Sequence, residues 1–131
     1  MLDTNILGYL IKGISPALTQ RVRSAAQMKT ICTSVICRAE LQCGQDLMAV
    51  NDKRHAQIDM LLLELPAMPW SVAAADQYGE IKALLKRQGI PIAEMRTKIA
   101  AHASPENLIL VIQNTRHLER VTGLKIEGWM A

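Results

Sequence analysis

The chain has 131 residues, half of them hydrophobic, with no Phe and a net charge of +3. That length supports one domain, 1–131, with a core of Leu, Ile, Val, Ala and Met. No apolar run reaches the roughly 18 residues of a membrane span. The mild positive charge permits an RNA or acidic-protein partner without demanding one. Only Met1-Leu2 precede the first acid, which argues against a signal peptide. Cys32, Cys37 and Cys43 are an odd set with no C-x-x-C pair. They fit free thiols in a cytoplasmic chain better than a disulfide framework or a zinc site.

In chain order, Met1 to Ile6 reads as a short strand running into a turn. Ser15-Pro16 is a cap and first-turn signal for a helix from Pro16 to Gln27. Thr30 to Ile36 is rich in β-branched residues and reads as a buried strand. Arg38 to about Ala49 then continues as a helix with Glu40 in its first turn. A helix from about Lys53 to Leu65 places Ile58, Leu61, Leu62 and Leu65 on one face. Met68-Pro69-Trp70 interrupts it, Ser71 caps a helix running to about Gln88, and Gly89 ends that helix. Glu94 to Ala103 is a further helix. Leu108 to Ile112 is an apolar run suited to a central parallel strand. Asn114 to Arg120 reads as a short helical turn, and Leu124 to Ile126 as an edge strand. Helices alternating with short apolar strands predict an α/β sandwich around a mostly parallel sheet.

Ligands of such sheets sit at the C-terminal ends of the strands. Asp3, Glu40 and Asn114 all fall at or just past such ends. Converging carboxylates make a hard-oxygen site for Mg²⁺ or Mn²⁺, which can activate water against a phosphodiester. The same residues have simpler roles. An Asp ending a strand often caps a turn, and an early helical Glu complements the dipole.

Several short motifs recur in a characteristic order. They are Asp3-Thr4-Asn5-Ile6, Ser34 with Glu40-Leu41 and Gly44, Glu80-Ile81-Lys82, and Gly89 with Pro91-Ile92. Ile99-Ala100-Ala101-His102-Ala103, Leu110-Val111 with Asn114-Thr115-Arg116, and Leu118-Glu119-Arg120-Val121 with Gly123-Leu124 follow. The ordered set covers the chain and resembles the VapC-type toxins of the PIN-domain family. The resemblance implies a PIN-like three-layer fold and a Mg²⁺-dependent (or Mn²⁺-dependent) endoribonuclease acting on structured RNA, tRNA among its substrates. It also implies a homodimer silenced by a VapB-type antitoxin whose C-terminal tail lies across the active site. The first two family acids carry over onto Asp3 and Glu40, as catalytic and metal-holding groups. A Thr-Asn-Asn or Thr-Asn-Asp stretch maps onto Ile112-Gln113-Asn114, leaving Asn114 as a neutral metal ligand.

The third family acid falls on Arg96. A carboxylate replaced by a guanidinium is a swing of two charge units beside a divalent cation, which disfavours metal. Arg96 is suited instead to pair with Asp3 and Glu40 through bidentate bonds. The expectations are an impaired metal site, with bound metal and an empty site both left open, and, as the alternative, a non-catalytic PIN-like module that binds an antitoxin. Glu94, two residues earlier, points about 200° away on a helix and replaces the missing acid only if the helix starts after it. His102 reads as a half-buried packing residue, and His55 and His117 as solvated. Asp76 and Glu80 read as a solvated or dimer-facing edge rather than a second metal site. Arg116 and Arg120, with Lys82, Lys86 and Arg87, are candidate RNA phosphate contacts. Met60 to Leu63 reads as core, or as core plus antitoxin or dimer surface.

Overall fold

The computed structural model describes every residue except Pro91, His117 and Ala131. Among the described residues six helices surround one parallel sheet: α1 (Thr4–Lys12), α2 (Pro16–Gln27), α3 (Val35–Leu47), α4 (Arg54–Glu64), α5 (Val72–Arg87) and α6 (Glu94–Ala103). The strands are β1 (Thr33–Ser34), β2 (Ala67–Met68), β3 (Ile109–Val111) and β4 (Lys125–Glu127). β1 pairs with β2 and β3 with β4, both in parallel. Leu2 joins the two halves by parallel bridges to Thr33 and Val111, giving the order β2–β1–Leu2–β3–β4. The Leu2 amide donates to the Cys32 carbonyl (2.9 Å), and the Asp3 amide donates to the Val111 carbonyl (3.2 Å). The expected α/β architecture with a parallel sheet is the one observed.

The chain's opening departs from the expectation. It does not stay extended to Ile6, because Asp3 caps a helix that begins at Thr4, its carboxylate accepting from the Ile6 amide at 2.9 Å. Ile6, Leu7, Leu10 and Ile11 carry the helical spacing that marks α1. Gly13 closes this helix in the left-handed region at φ 65°, where a side chain would be strained.

α2 runs over the expected residues, with Ser15 capping Leu18 and Pro16 in the first turn. The predicted strand to Ile36 shortens to Thr33–Ser34, because the Ser34 hydroxyl accepts from the Ile36 amide and starts α3 there. Glu40 consequently lies beyond the first turn of α3. α4, α5 and α6 follow their predicted spans closely. The pairing of Ala67–Met68 with β1 was not foreseen, since two residues carry no periodicity to read. A 3₁₀ turn, Leu118–Arg120, stands where a helical turn was expected.

The core lies on both sides of Leu2 and β3. Leu2, Ile6, Leu7, Leu18, Leu110, Ile112 and Leu118 are essentially sealed from solvent. Ala100, Ala101 and Ala103 are equally buried, so their small side chains seat α6 close to the rest of the fold. No helix among the described residues is long and apolar enough to cross a membrane.

Candidate active site

Asp3 leaves the sheet at the C-terminal end of the central strand position and caps α1, so two local rules place one carboxylate. It is buried. Burial pushes its carboxyl pKa up and nearby Glu40 adds to the rise, while the Ile6 amide and the Arg96 guanidinium pull it down. Glu40, half-buried on α3, faces the same space and accepts a hydrogen bond from the Thr4 hydroxyl at 2.6 Å. Arg96 enters from the first turn of α6, also half-buried. Asp3, Thr4, Asn5, Glu40, Arg96 and Ile99 are among the residues lining a cavity of about 270 Å³. The starts of α1 and α6 and the second turn of α3 thus supply the polar groups, and the sheet fixes their relative positions.

The direct ion pair expected of Arg96 is not formed. Among the described residues its nitrogens stay beyond 4.0 Å from every carboxylate, and the ion pairs are Arg21–Glu127, Arg54–Asp52 and Lys82–Glu94. The guanidinium therefore acts on Asp3 across the cavity rather than by contact. Glu94 is held by the Tyr78 hydroxyl and the Lys82 ammonium of α5, so its carboxylate is tied to the neighbouring helix. Lys82 is engaged by that same pair rather than free for a phosphate.

Asn114 follows β3, but its side-chain oxygen accepts from the Arg116 amide at 3.1 Å and it is not among the residues lining the cavity. Ile112, at the family Thr position, is wholly buried, and the Gln113 side chain accepts from the Tyr9 hydroxyl. Arg116 and Arg120 are exposed, as are Asp76 and Glu80. Among the described residues no three His, Cys, Asp or Glu side chains converge as a metal-holding group. Two carboxylates facing a guanidinium make a poor donor set for a divalent ion. Thr4, whose hydroxyl orients Glu40, was not singled out from sequence. Its place inside Asp3-Thr4-Asn5 was the available signal.

His102 is fully buried, deeper than the half-buried position expected. Its Nδ1 lies 2.8 Å from the Ser34 hydroxyl, while Nε2 has no hydrogen-bond partner, and the Trp70 ring stands 5.7 Å away. His55 is half-buried, with Nε2 2.8 Å from the Ala49 carbonyl, and His117 lies outside the described residues. Burial holds the His102 pKa below its ordinary 6.5, against smaller opposite pulls from the Pro69 backbone and Glu106. The unfolded chain takes up this proton more readily than the folded one, so His102 costs stability as pH falls through 6.5. Asp3, its pKa raised, works in the opposite direction. Urea midpoints at pH 7.5 and 5.5 are expected to fall with acid in the wild type and to fall less in His102→Gln. An equal fall in both proteins removes His102 as the cause.

An acidic cavity at the C-terminal edge of a parallel α/β sheet is the arrangement of PIN-type nucleases. No family model matches the chain. It is 38% identical over 130 residues to ribonuclease VapC2 of Haemophilus influenzae, covering 99% of this chain and 97% of the relative. It is 36% identical over 129 residues to the tRNA(fMet)-specific endonuclease VapC of Shigella flexneri, covering 98% and 96%. A chain in the VapBC2 structure of Rickettsia felis, solved bound to a DNA fragment from its promoter, superimposes with a TM-score of 0.89 at 31% identity, covering 98% and 97%. The chain belongs to the VapC ribonuclease family of toxin–antitoxin systems.

Proposed function

We propose that this chain is a VapC-type toxin homologue whose own RNA cleavage is impaired. The scaffold is that of an endoribonuclease acting on structured RNA in the cytoplasm, with tRNA the substrate class suggested by the Shigella relative. One observation carries the reading: Arg96 lines the same cavity as Asp3 and Glu40, where the family pattern has a third acid. Asp3 and Glu40 are the groups that would hold Mg²⁺ or Mn²⁺ and act in catalysis; Asn114, the family-position neutral donor, would first have to leave its bond to the Arg116 amide. Without a third carboxylate the donor set falls short, so no cleavage step is assigned to it. The test is RNA cleavage in Mg²⁺ or Mn²⁺ by the wild type beside Arg96→Asp. A wild type that cleaves as well as Arg96→Asp sinks the impairment.

A second reading is a non-catalytic partner for a VapB-type antitoxin, and a different surface favours it. An apolar groove of about 280 Å³ runs between α1, α2 and α4, lined by Leu10, Ile11, Val22, Ala26, Met60 and Leu61. Arg23 and Glu64 stand among its polar residues. Such a groove suits the apolar face of an amphipathic antitoxin helix. The Rickettsia relative was solved in a toxin–antitoxin complex, which supports this occupant. Met60, 61% exposed, can be changed at little risk to the fold. Met60→Glu is expected to weaken antitoxin capture about tenfold or more, because a charge would be buried without a partner. Its thermal midpoint should stay at the wild-type value, and undiminished capture would remove the groove from the interface. A homodimer is part of the same proposal and is read out by sedimentation.

A further inference from the structure

We propose that Arg96 turns this cavity into a metal-independent seat for an RNA phosphodiester, an inference that rests on the ribonuclease-family reading above and concerns binding alone. Arg96 presents a guanidinium to the cavity wall that is spent on no hydrogen bond or ion pair among the described residues. A guanidinium carries five N–H donors in a planar fork that matches phosphate oxygens two at a time. Each neighbouring acid has one oxygen engaged: Asp3 accepts from the Ile6 amide at 2.9 Å and Glu40 from the Thr4 hydroxyl at 2.6 Å. The second oxygen of each carboxylate and the Asn5 amide also face the cavity, and Arg96 is the one cationic group among the lining residues, its hydrogen-bonding capacity unspent among the described residues.

The charge is less hostile to a phosphate than that of the family pattern, though still net negative. With an acid at position 96 the cavity would carry three negative groups and would repel phosphate unless a cation bridged them. With Arg96 the three groups sum to a single negative charge, and the cation is covalently attached. At about 30 Å³ per liquid water, a cavity of about 270 Å³ admits a phosphate group. The contact needs no metal, because the guanidinium supplies both the positive charge and the directed bonds.

The experiment is fluorescence anisotropy of a labelled RNA hairpin titrated with the purified chain in EDTA, then in Mg²⁺, across a salt series. Wild type is expected to bind in EDTA and to gain nothing from Mg²⁺ at matched ionic strength. Arg96→Ala should bind about tenfold more weakly or worse. Its slope of log affinity against log salt should be shallower by about one phosphate contact. Arg96→Lys keeps the charge but loses the fork and should fall between them, and it serves as the readout should Arg96→Ala fail to fold. Equal affinity of wild type and both variants in EDTA overturns the proposal, as does wild-type binding that requires Mg²⁺. Mg²⁺-dependent cleavage by the wild type as fast as by Arg96→Asp would overturn the impaired-enzyme reading instead, and the EDTA titration stands apart from it.

Discussion

Arg96→Asp is expected to raise Mg²⁺- or Mn²⁺-dependent RNA cleavage by about a hundredfold or more over the wild type. The substitution changes one side of a small cavity by two charge units, from a cation to a third carboxylate beside Asp3 and Glu40. Two unit charges about 4 Å apart interact by about 4 kcal/mol at an effective dielectric near 20, about a thousandfold in affinity. Arg96 is half-buried rather than sealed, so water trims that figure. Three carboxylates also satisfy the preference of hard divalent ions for oxygen donors. Removing the guanidinium takes away a pull that lowers the Asp3 pKa, so the variant's metal binding should weaken in acid more steeply than an ordinary carboxylate site. Cleavage of a structured RNA, followed on denaturing gels against metal concentration at pH 8 and pH 6, checks both statements. Absence of cleavage by both proteins would place part of the loss on Ile112 and Gln113, which stand where the family has Thr and Asn.

The second large effect concerns stability. Leu2→Ala should lower the unfolding free energy by about 2–5 kcal/mol, a large share of the roughly 5–15 kcal/mol typical of a domain. Leu2 is 1% exposed and sits at the middle of the sheet, bridging β1 on one side and β3 on the other. Removing its side chain leaves a cavity where the two halves of the sheet meet, and flanking strands held by their own hydrogen bonds cannot collapse into it. At about 4 °C per kcal/mol the thermal midpoint should drop on the order of 10 °C. Leu63→Ala is the matched control, since Leu63 is 86% exposed and should move stability by no more than about 0.5 kcal/mol. Urea melts of the three proteins read the difference, and a Leu2→Ala loss no larger than that of Leu63→Ala would show that Leu2 is not central.

Much of the fold was legible because the long helices announce themselves. Ser15-Pro16 and Ser71 are caps with a mechanism, and the helices they start, α2 and α5, begin where those residues put them. The apolar run Leu108 to Ile112 holds β3, paired on both sides as a central parallel strand should be, with Leu110, Val111 and Ile112 buried and Ile109 exposed. The misreadings fall where one residue serves two elements. Asp3 follows the bridged Leu2 and caps α1, and Ser34 ends β1 and caps α3. The β-branched Val35 and Ile36 favour a strand by propensity, yet the Ser34 cap and the packing of α3 make them helical.

The order of residues alone was enough for the family, for the parallel α/β architecture and for the identity of position 96, because motif order and hydrophobic period are properties of the chain itself. Which side chains meet was settled only by the tertiary structure. Arg96 shares a cavity with Asp3 and Glu40 but contacts neither, Glu94 is drawn to Lys82 and Tyr78, and Asn114 turns back on its own loop. The physical reason is reach and competition. A long side chain takes whichever partner its helix's tilt and its neighbours' donors offer, and those donors come from parts of the chain tens of residues away.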